Sequence, residues 1–191
     1  MQHAALKLIL DEHRALACVL HALRETVANS RKPDVRPDFE HLRAMLFYMD
    51  EIPARLHHAA EEQALFPKIR ERCPALRPVL DRLEAEHGRG ETTVQDLEHA
   101  LTAWELMGDE RREAFELPLR AFVEGYLGHM EVEENYVLPV AQDYLSEADW
   151  HDLYAALTDQ RRAQAAQTAA GHRALLRRIL GGRPAVPPEG D

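Results

Sequence analysis

At 191 residues and a net charge of −10, the chain is about one domain long, enough to bury a single core. It is too acidic to grip the phosphates of nucleic acid or an anionic lipid surface. Ala, Leu, Glu and Arg dominate, a mixture that favours helix, and no run of β-branched residues alternates with polar ones, so no strand is expected.

In chain order, Leu6, Ile9, Leu10, Leu16, Leu20, Leu23 and Val27 recur at helical spacing and predict a first helix over roughly 2–28. Asn29 to Pro33 end it, and Asp38 is placed to cap a second helix carrying Phe39, Leu42, Leu46, Met49, Leu56 and Leu65 inward. Pro53 and Pro67 fall inside that pattern and predict kinks or short interruptions. Cys73-Pro74 breaks the chain, and a third helix runs from about Pro78 to Met107. Gly108-Asp109 reads as a helix stop followed by a new N-cap, and the fourth helix reaches about Tyr144. Ser146 to Asp149 resembles a capping box opening a short fifth helix, and a last amphipathic stretch ends near Leu180. The expected organisation is therefore all-α: a helical bundle over 1–145, a helical extension over 146–180 and a disordered tail over 181–191.

The N-terminus turns acidic at Asp11, before a signal-peptide core forms, and no apolar stretch approaches ~18 residues. Cys18 and Cys73 show no CxxC spacing. The expectation is a soluble, cytoplasmic protein with reduced thiols, one disulfide staying open.

The eleven histidines carry the functional signal, because histidine is the commonest metal ligand. His57 is followed by Glu61-Glu62 and Pro67, and His129 by Glu133-Glu134 and Pro139, at identical offsets. At nearly equal distances upstream lie Glu12-His13 and Glu86-His87. The chain reads as two helical hairpins of one design, each with a lone His on its first helix and a His-x-x-x-Glu on its second. Residues four apart share a helix face, and antiparallel neighbours can bring such faces to one level of a bundle. The convergent set is His13, His57, Glu61, His87, His129 and Glu133. One His-x-x-x-Glu alone is an ordinary solvated pair, and His21, His58 and His87 also have Glu at the fourth position on. A doubled row of buried imidazoles and carboxylates is different: it costs several kcal/mol per unpaired charge unless something satisfies it, and a metal pair does.

Imidazole nitrogen and carboxylate oxygen without thiolate suit iron, with manganese or zinc as alternatives, rather than copper(I) or an iron–sulfur cluster. Two bridging glutamates would give each ion two nitrogens and two oxygens, with room for a bridging oxide or hydroxide and an open position. The ferritin-like pattern, Glu-x-x-His with four carboxylates, fits less well. His58–Glu62 is the competing register for His57–Glu61; one step turns a side chain by ~100°, and the match to His129–Glu133 selects His57. Tyr126 is a candidate hydrogen-bond donor behind the ligands or a core aromatic. His21, His41, His99, His151 and His172 have no counterpart in the repeat and read as surface residues, and Cys18 reads as a small core residue.

The stretch from His57 to Pro67, together with Asp11-Glu12-His13-Arg14, Glu86-His87 and His129 to Pro139, resembles the hemerythrin-like, HHE cation-binding family over roughly residues 5–145. The resemblance implies a left-handed up-down-up-down four-helix bundle, here with one or two further C-terminal helices, and a non-haem di-iron site. It implies a small-molecule partner, dioxygen or nitric oxide, in a carrier, a sensor of oxygen, nitric oxide or iron, or an iron–sulfur repair protein. The Glu-Glu-Gln-x-Leu-Phe-Pro form is most similar to the repair proteins, although these often carry a short cysteine-containing N-terminal domain, whereas this sequence is expected to start directly at the bundle. Oxygen carriers have a second His four residues after the third-helix His, where this sequence has Glu91, so reversible oxygen carriage is not expected. Enzymatic activity, a homodimer and a protein partner all stay open.

Overall fold

The computed structural model describes residues 3–52, 57–179 and 181, with the side chains at 52, 91, 160 and 163–177 outside that description. Among the described residues seven α-helices follow in order: α1 Ala4–Asn29, α2 Phe39–Ile52, α3 Phe66–Arg72, α4 Arg77–Met107, α5 Arg112–Val132, α6 Leu138–Tyr144 and α7 Glu147–Ile179. No strand occurs among the described residues, and none of the described helices is long and apolar enough to cross a membrane.

Local chemistry sets the boundaries. Asp38 Oδ1 accepts the backbone N–H of His41 at 2.9 Å, the expected cap of α2. Cys73 leaves helical geometry with φ −133° before a short 3-10 turn over Pro74–Leu76. Gly108 stops α4 at φ 101°, a left-handed value that costs glycine little. Asp109 does not cap α5 as expected: it opens a 3-10 turn, Asp109–Arg111, and its Oδ1 instead accepts the Trp104 indole N–H at 2.9 Å. Ser146 and Asp149 bond reciprocally, Ser146 N–H to Asp149 Oδ2 at 3.0 Å and Asp149 N–H to Ser146 Oγ at 3.2 Å, a capping box in which aspartate replaces glutamate. What it opens is not a short fifth helix followed by a separate stretch but the single helix α7. Its buried Trp150, Leu153 and Leu157 lie on one stripe at i, i+3 and i+7, giving one continuous face to pack. The expected interruption at Pro53, the inward Leu56 and the tail beyond Gly181 lie outside the described residues.

Pro67 and Pro139 act where expected, but on the turn before them. Each lacks the N–H that would bond back four residues, and its ring crowds that carbonyl. The preceding turn widens into a π turn, Glu61–Leu65 and Glu133–Val137, closed by Phe66 N–H to the Glu61 carbonyl and Leu138 N–H to the Glu133 carbonyl. Both wide turns begin at a glutamate of the predicted ligand set.

α1 packs on α2 and α5, and α4 on α2 and α5, which closes a four-helix bundle; α7 lies against α1 and α2. The core is split in two. Leu16, Leu20, Leu23, Leu42, Met45, Leu97, Trp104 and Phe115 fill one half; Leu6, Ile9, Leu65, Phe66, Ile69, Leu80, Leu83 and Val137 fill the other. Burying each such side chain stabilises by about 1.5–3 kcal/mol. Between the halves runs a buried layer of histidine and glutamate, which must be satisfied from within.

Candidate metal centre

All six predicted residues reach this layer, each 1–6% exposed. They fall into two sets of potential ligand atoms, His13, His57, Glu61 and Glu133 in one and His87, His129 and Glu133 in the other, with the atoms of each set within 4.8 Å of one another. Each glutamate spans both pairs of imidazoles. Glu61 Oε1 lies 3.5 Å from His57 Nε2 and its Oε2 3.6 Å from His87 Nε2. Glu133 Oε2 lies 3.3 Å from His13 Nε2 and its Oε1 3.1 Å from His129 Nε2. None of these four carboxylate oxygens has a hydrogen bond of normal geometry, which in a buried layer demands an explanation.

The imidazoles supply it. Every Nδ1 faces a second, outer carboxylate: His13 donates to Glu134 Oε1 at 2.8 Å, His57 to Glu12 Oε2 at 3.3 Å, His87 to Glu62 Oε1 at 2.7 Å and His129 to Glu86 Oε2 at 2.9 Å. A carboxylate only accepts, so each Nδ1 carries the hydrogen, and each ring turns an Nε2 lone pair inward once that nitrogen gives up any proton. These inward nitrogens meet in pairs, His13 with His57 and His87 with His129, each at 3.0 Å. Two lone pairs face each other at that distance only around a shared proton or a cation. The pairs meet the orphaned oxygens in one layer, and the donor set is the nitrogen–oxygen chemistry of iron, manganese or zinc.

The electrostatics agree. Burial drives Glu61 well above the ordinary carboxylate range, and the negative Glu133 beside it adds to the shift. Burial would raise Glu133 too, but the imidazoles of His129 and His13 outweigh it and hold it well below. Burial opposes a charge on His13, yet Glu133 and Glu134 push it up to about 9, so that a proton competes with a cation for its Nε2. Two carboxylates this close ionise together only if extra positive charge joins them, and a cation meets that demand.

His58 is buried as deeply as the ligand set but belongs to neither group. Its ring stacks on His87 at 3.8 Å and 6°, and its Nε2 shares a 2.9 Å hydrogen bond with the Tyr126 hydroxyl. The register choice between His57 and His58 thus separates a potential ligand from a packing partner, and the Tyr126 hydroxyl meets His58. Burial and the neighbouring imidazoles push His58 down toward the neutral form. A cavity of about 460 Å³ between α4 and α5 reaches His58, His87, Tyr126 and His129. The Glu91 side chain lies outside the described residues, as does that of His172. His21, His99 and His151 are exposed and His41 is half-buried, and no disulfide joins the two half-buried cysteines. Cys18 is half-buried and not a core residue, because it sits at the margin of the inward face of α1.

The outer carboxylates went unassigned in the sequence, although the repeat doubles them as faithfully as the ligands: Glu12 and Glu86 precede a ligand His, and Glu62 and Glu134 follow a ligand Glu. One residue's rotation of ~100° turns each toward the next helix, where it holds that helix's histidine.

The model of one family, the hemerythrin HHE cation-binding domain, matches residues 4–141, a span that contains all six residues and ends before α7. No curated protein and no solved structure matches the chain. The family match takes in most of the chain and the whole of its buried histidine–glutamate layer, a layer suited to metal, and the protein belongs to the hemerythrin HHE cation-binding domain family.

Proposed function

We propose that the protein binds two metal ions as a non-haem di-iron centre through His13, His57, Glu61, His87, His129 and Glu133, and that this centre reacts with or senses dioxygen, nitric oxide or iron. The observation that carries the reading is the pairing of the inward nitrogens, each pair flanked by one oxygen from each of two glutamates. That arrangement supports two ions joined by two carboxylate bridges.

In this reading the protein's part is positioning. The four imidazoles supply neutral nitrogen, held in one tautomer by the outer carboxylates. Glu61 and Glu133 would offset part of the charge of both ions, and the two apolar halves of the core keep bulk water away. A bound iron pair would supply reversible redox chemistry toward small oxidants. The cavity beside His87 and His129 gives a small molecule a route to the layer, with His58 and Tyr126 at its inner wall. The second reading, an iron–sulfur cluster repair protein or iron donor, is favoured by the Glu-Glu-Gln-x-Leu-Phe-Pro motif at Glu61 to Pro67 and uses the same centre.

Metal analysis of protein produced with ample iron tests the core of the proposal: close to two ions per chain are expected, and a content near zero would overturn it. Following the visible spectrum of the reduced protein as it meets dioxygen or nitric oxide, beside an assay that restores a damaged iron–sulfur enzyme, separates the two readings.

A further inference from the structure

We infer that Arg161 on α7 is a positioning residue for the metal centre, and that through Glu12 it links the docking of the C-terminal helix to metal occupancy. This rests on the metal-binding reading above but adds an element that the family match does not reach, since that match ends at residue 141 and α7 begins at Glu147.

The geometry is a chain of three side chains from three helical segments. The Arg161 guanidinium donates to Glu12 Oε1 from Nε at 3.1 Å and from Nη2 at 2.7 Å, and Nη2 also lies 3.3 Å from the Leu8 carbonyl oxygen of α1. Glu12 turns its other oxygen, Oε2, to the Nδ1–H of His57. His57 in turn presents Nε2 to His13 at 3.0 Å. One carboxylate therefore has each oxygen committed, one to α7 and one to a ligand.

Glu12 differs from the other three outer carboxylates. Its side chain is 16% exposed, against 31% for Glu86, 39% for Glu62 and 43% for Glu134. The more exposed three keep water as a partner, and Glu86 has Arg82 and Arg89 of its own helix at 3.5 and 4.0 Å. A carboxylate as enclosed as Glu12 needs a fixed counter-charge, and that charge comes from α7. The apolar stripe of Trp150, Leu153 and Leu157 seats the first half of α7 against the core, and Arg161 is one turn further on. Two guanidinium nitrogens converge on the single oxygen Oε1 and anchor it with charge-assisted hydrogen bonds, which leaves Oε2 to His57. With Arg161 removed, Glu12 is free to turn toward solvent and the His57 ring loses the partner that orients it. Loss of a partner behind a metal ligand weakens metal binding by about 10–100-fold. Arg161 acts one contact further out, so about tenfold is expected, confined to the ion held by His13 and His57. Linkage is reciprocal: whatever α7 adds to metal affinity, the metal adds to the docking of α7.

The test uses the full chain. Ferrous iron is titrated anaerobically against a chromophoric chelator for the wild type, Arg161→Ala, Arg161→Lys, Glu12→Gln, Arg161→Ala/Glu12→Gln and, as control, Arg162→Ala, whose side chain is exposed and pairs with Asp159. Amide hydrogen exchange along α7 is read with and without iron. The expected result is that Arg161→Ala weakens one of two ions about tenfold, Arg161→Lys restores part of the loss, and Arg162→Ala matches the wild type. The Arg161→Ala and Glu12→Gln losses should not add, because both act through one route. Iron should slow exchange along α7 in the wild type and not in Arg161→Ala, a response that a merely loosened helix would not show. Wild-type iron affinity in a folded Arg161→Ala variant, additive losses, or α7 exchange indifferent to iron overturns the inference alone. A wild type that takes up no iron overturns the metal-binding reading and the inference together.

Discussion

His57 and His58 are sequence neighbours, both buried, yet replacing each by alanine should do different things. His57→Ala removes the nitrogen 3.0 Å from His13 Nε2 and 3.5 Å from Glu61 Oε1. One ion then keeps a single imidazole. Losing a partner behind a ligand costs about 10–100-fold in affinity, so losing the ligand itself should cost at least about 100-fold, or ~2.8 kcal/mol at about 1.4 kcal/mol per tenfold. His58→Ala removes a ring stacked on His87 and a hydrogen bond to Tyr126. The hydrogen bond contributes ~1 kcal/mol, and the vacated volume costs more than that again. Burial of the partnerless His58 Nδ1 already costs something in the wild type and offsets part of the loss. A net loss of about 2 kcal/mol lowers the thermal midpoint of a chain this size by roughly 4–8 °C. The assay is metal content by elemental analysis beside a thermal melt. His57→Ala should retain about one ion, while His58→Ala should retain both and melt earlier. Loss of metal from His58→Ala to the same extent as from His57→Ala would refute the assignment of the two rings.

Glu116, 4% exposed in its side chain, accepts from Arg112 Nε at 2.8 Å and from Arg31 Nε at 3.3 Å. Burial would raise its pKa, but the two guanidiniums outweigh it and hold the carboxyl below its usual value. A depressed carboxylate contributes stability that is full above its unfolded pKa, about 4.3, and that fades as pH falls through the lower folded value. Glu116→Gln should therefore melt several degrees below the wild type at neutral pH, with the gap closing in acid; a gap independent of pH would show that the ion pairs contribute nothing. Pro67→Ala and Pro139→Ala restore the N–H that lets the π turn relax to α, turning the ligand segment by about 100° against the apolar segment that follows. Each should weaken iron binding about tenfold, an order-of-magnitude figure taken from displaced ligand partners, while leaving the metal-free fold as stable as before. Unchanged affinity in either variant would mean that the prolines do not set the glutamate positions.

The doubled spacing of His57–Glu61–Pro67 and His129–Glu133–Pro139 was legible without coordinates because helical phase is local: four residues on means the same face, whatever the rest of the chain does. The same locality made the Asp38 cap, the break at Cys73-Pro74, the stop at Gly108 and the Ser146–Asp149 box readable, since each is a bond within a few residues. Only the tertiary structure decided which neighbour each face meets. Glu12, Glu62, Glu86 and Glu134 acquire a role once four helices stand in a ring, each carboxylate facing the histidine of the adjacent helix. His58 differs from His57 by one step of rotation, and that step matters only because Tyr126 and His87 stand on that side. The reach of Arg161 to Glu12, 149 residues away in sequence, comes from the packing of the Trp150, Leu153 and Leu157 stripe against the bundle. Contacts between distant residues leave no periodic trace in a single sequence, because the chain's local geometry is the same with or without them.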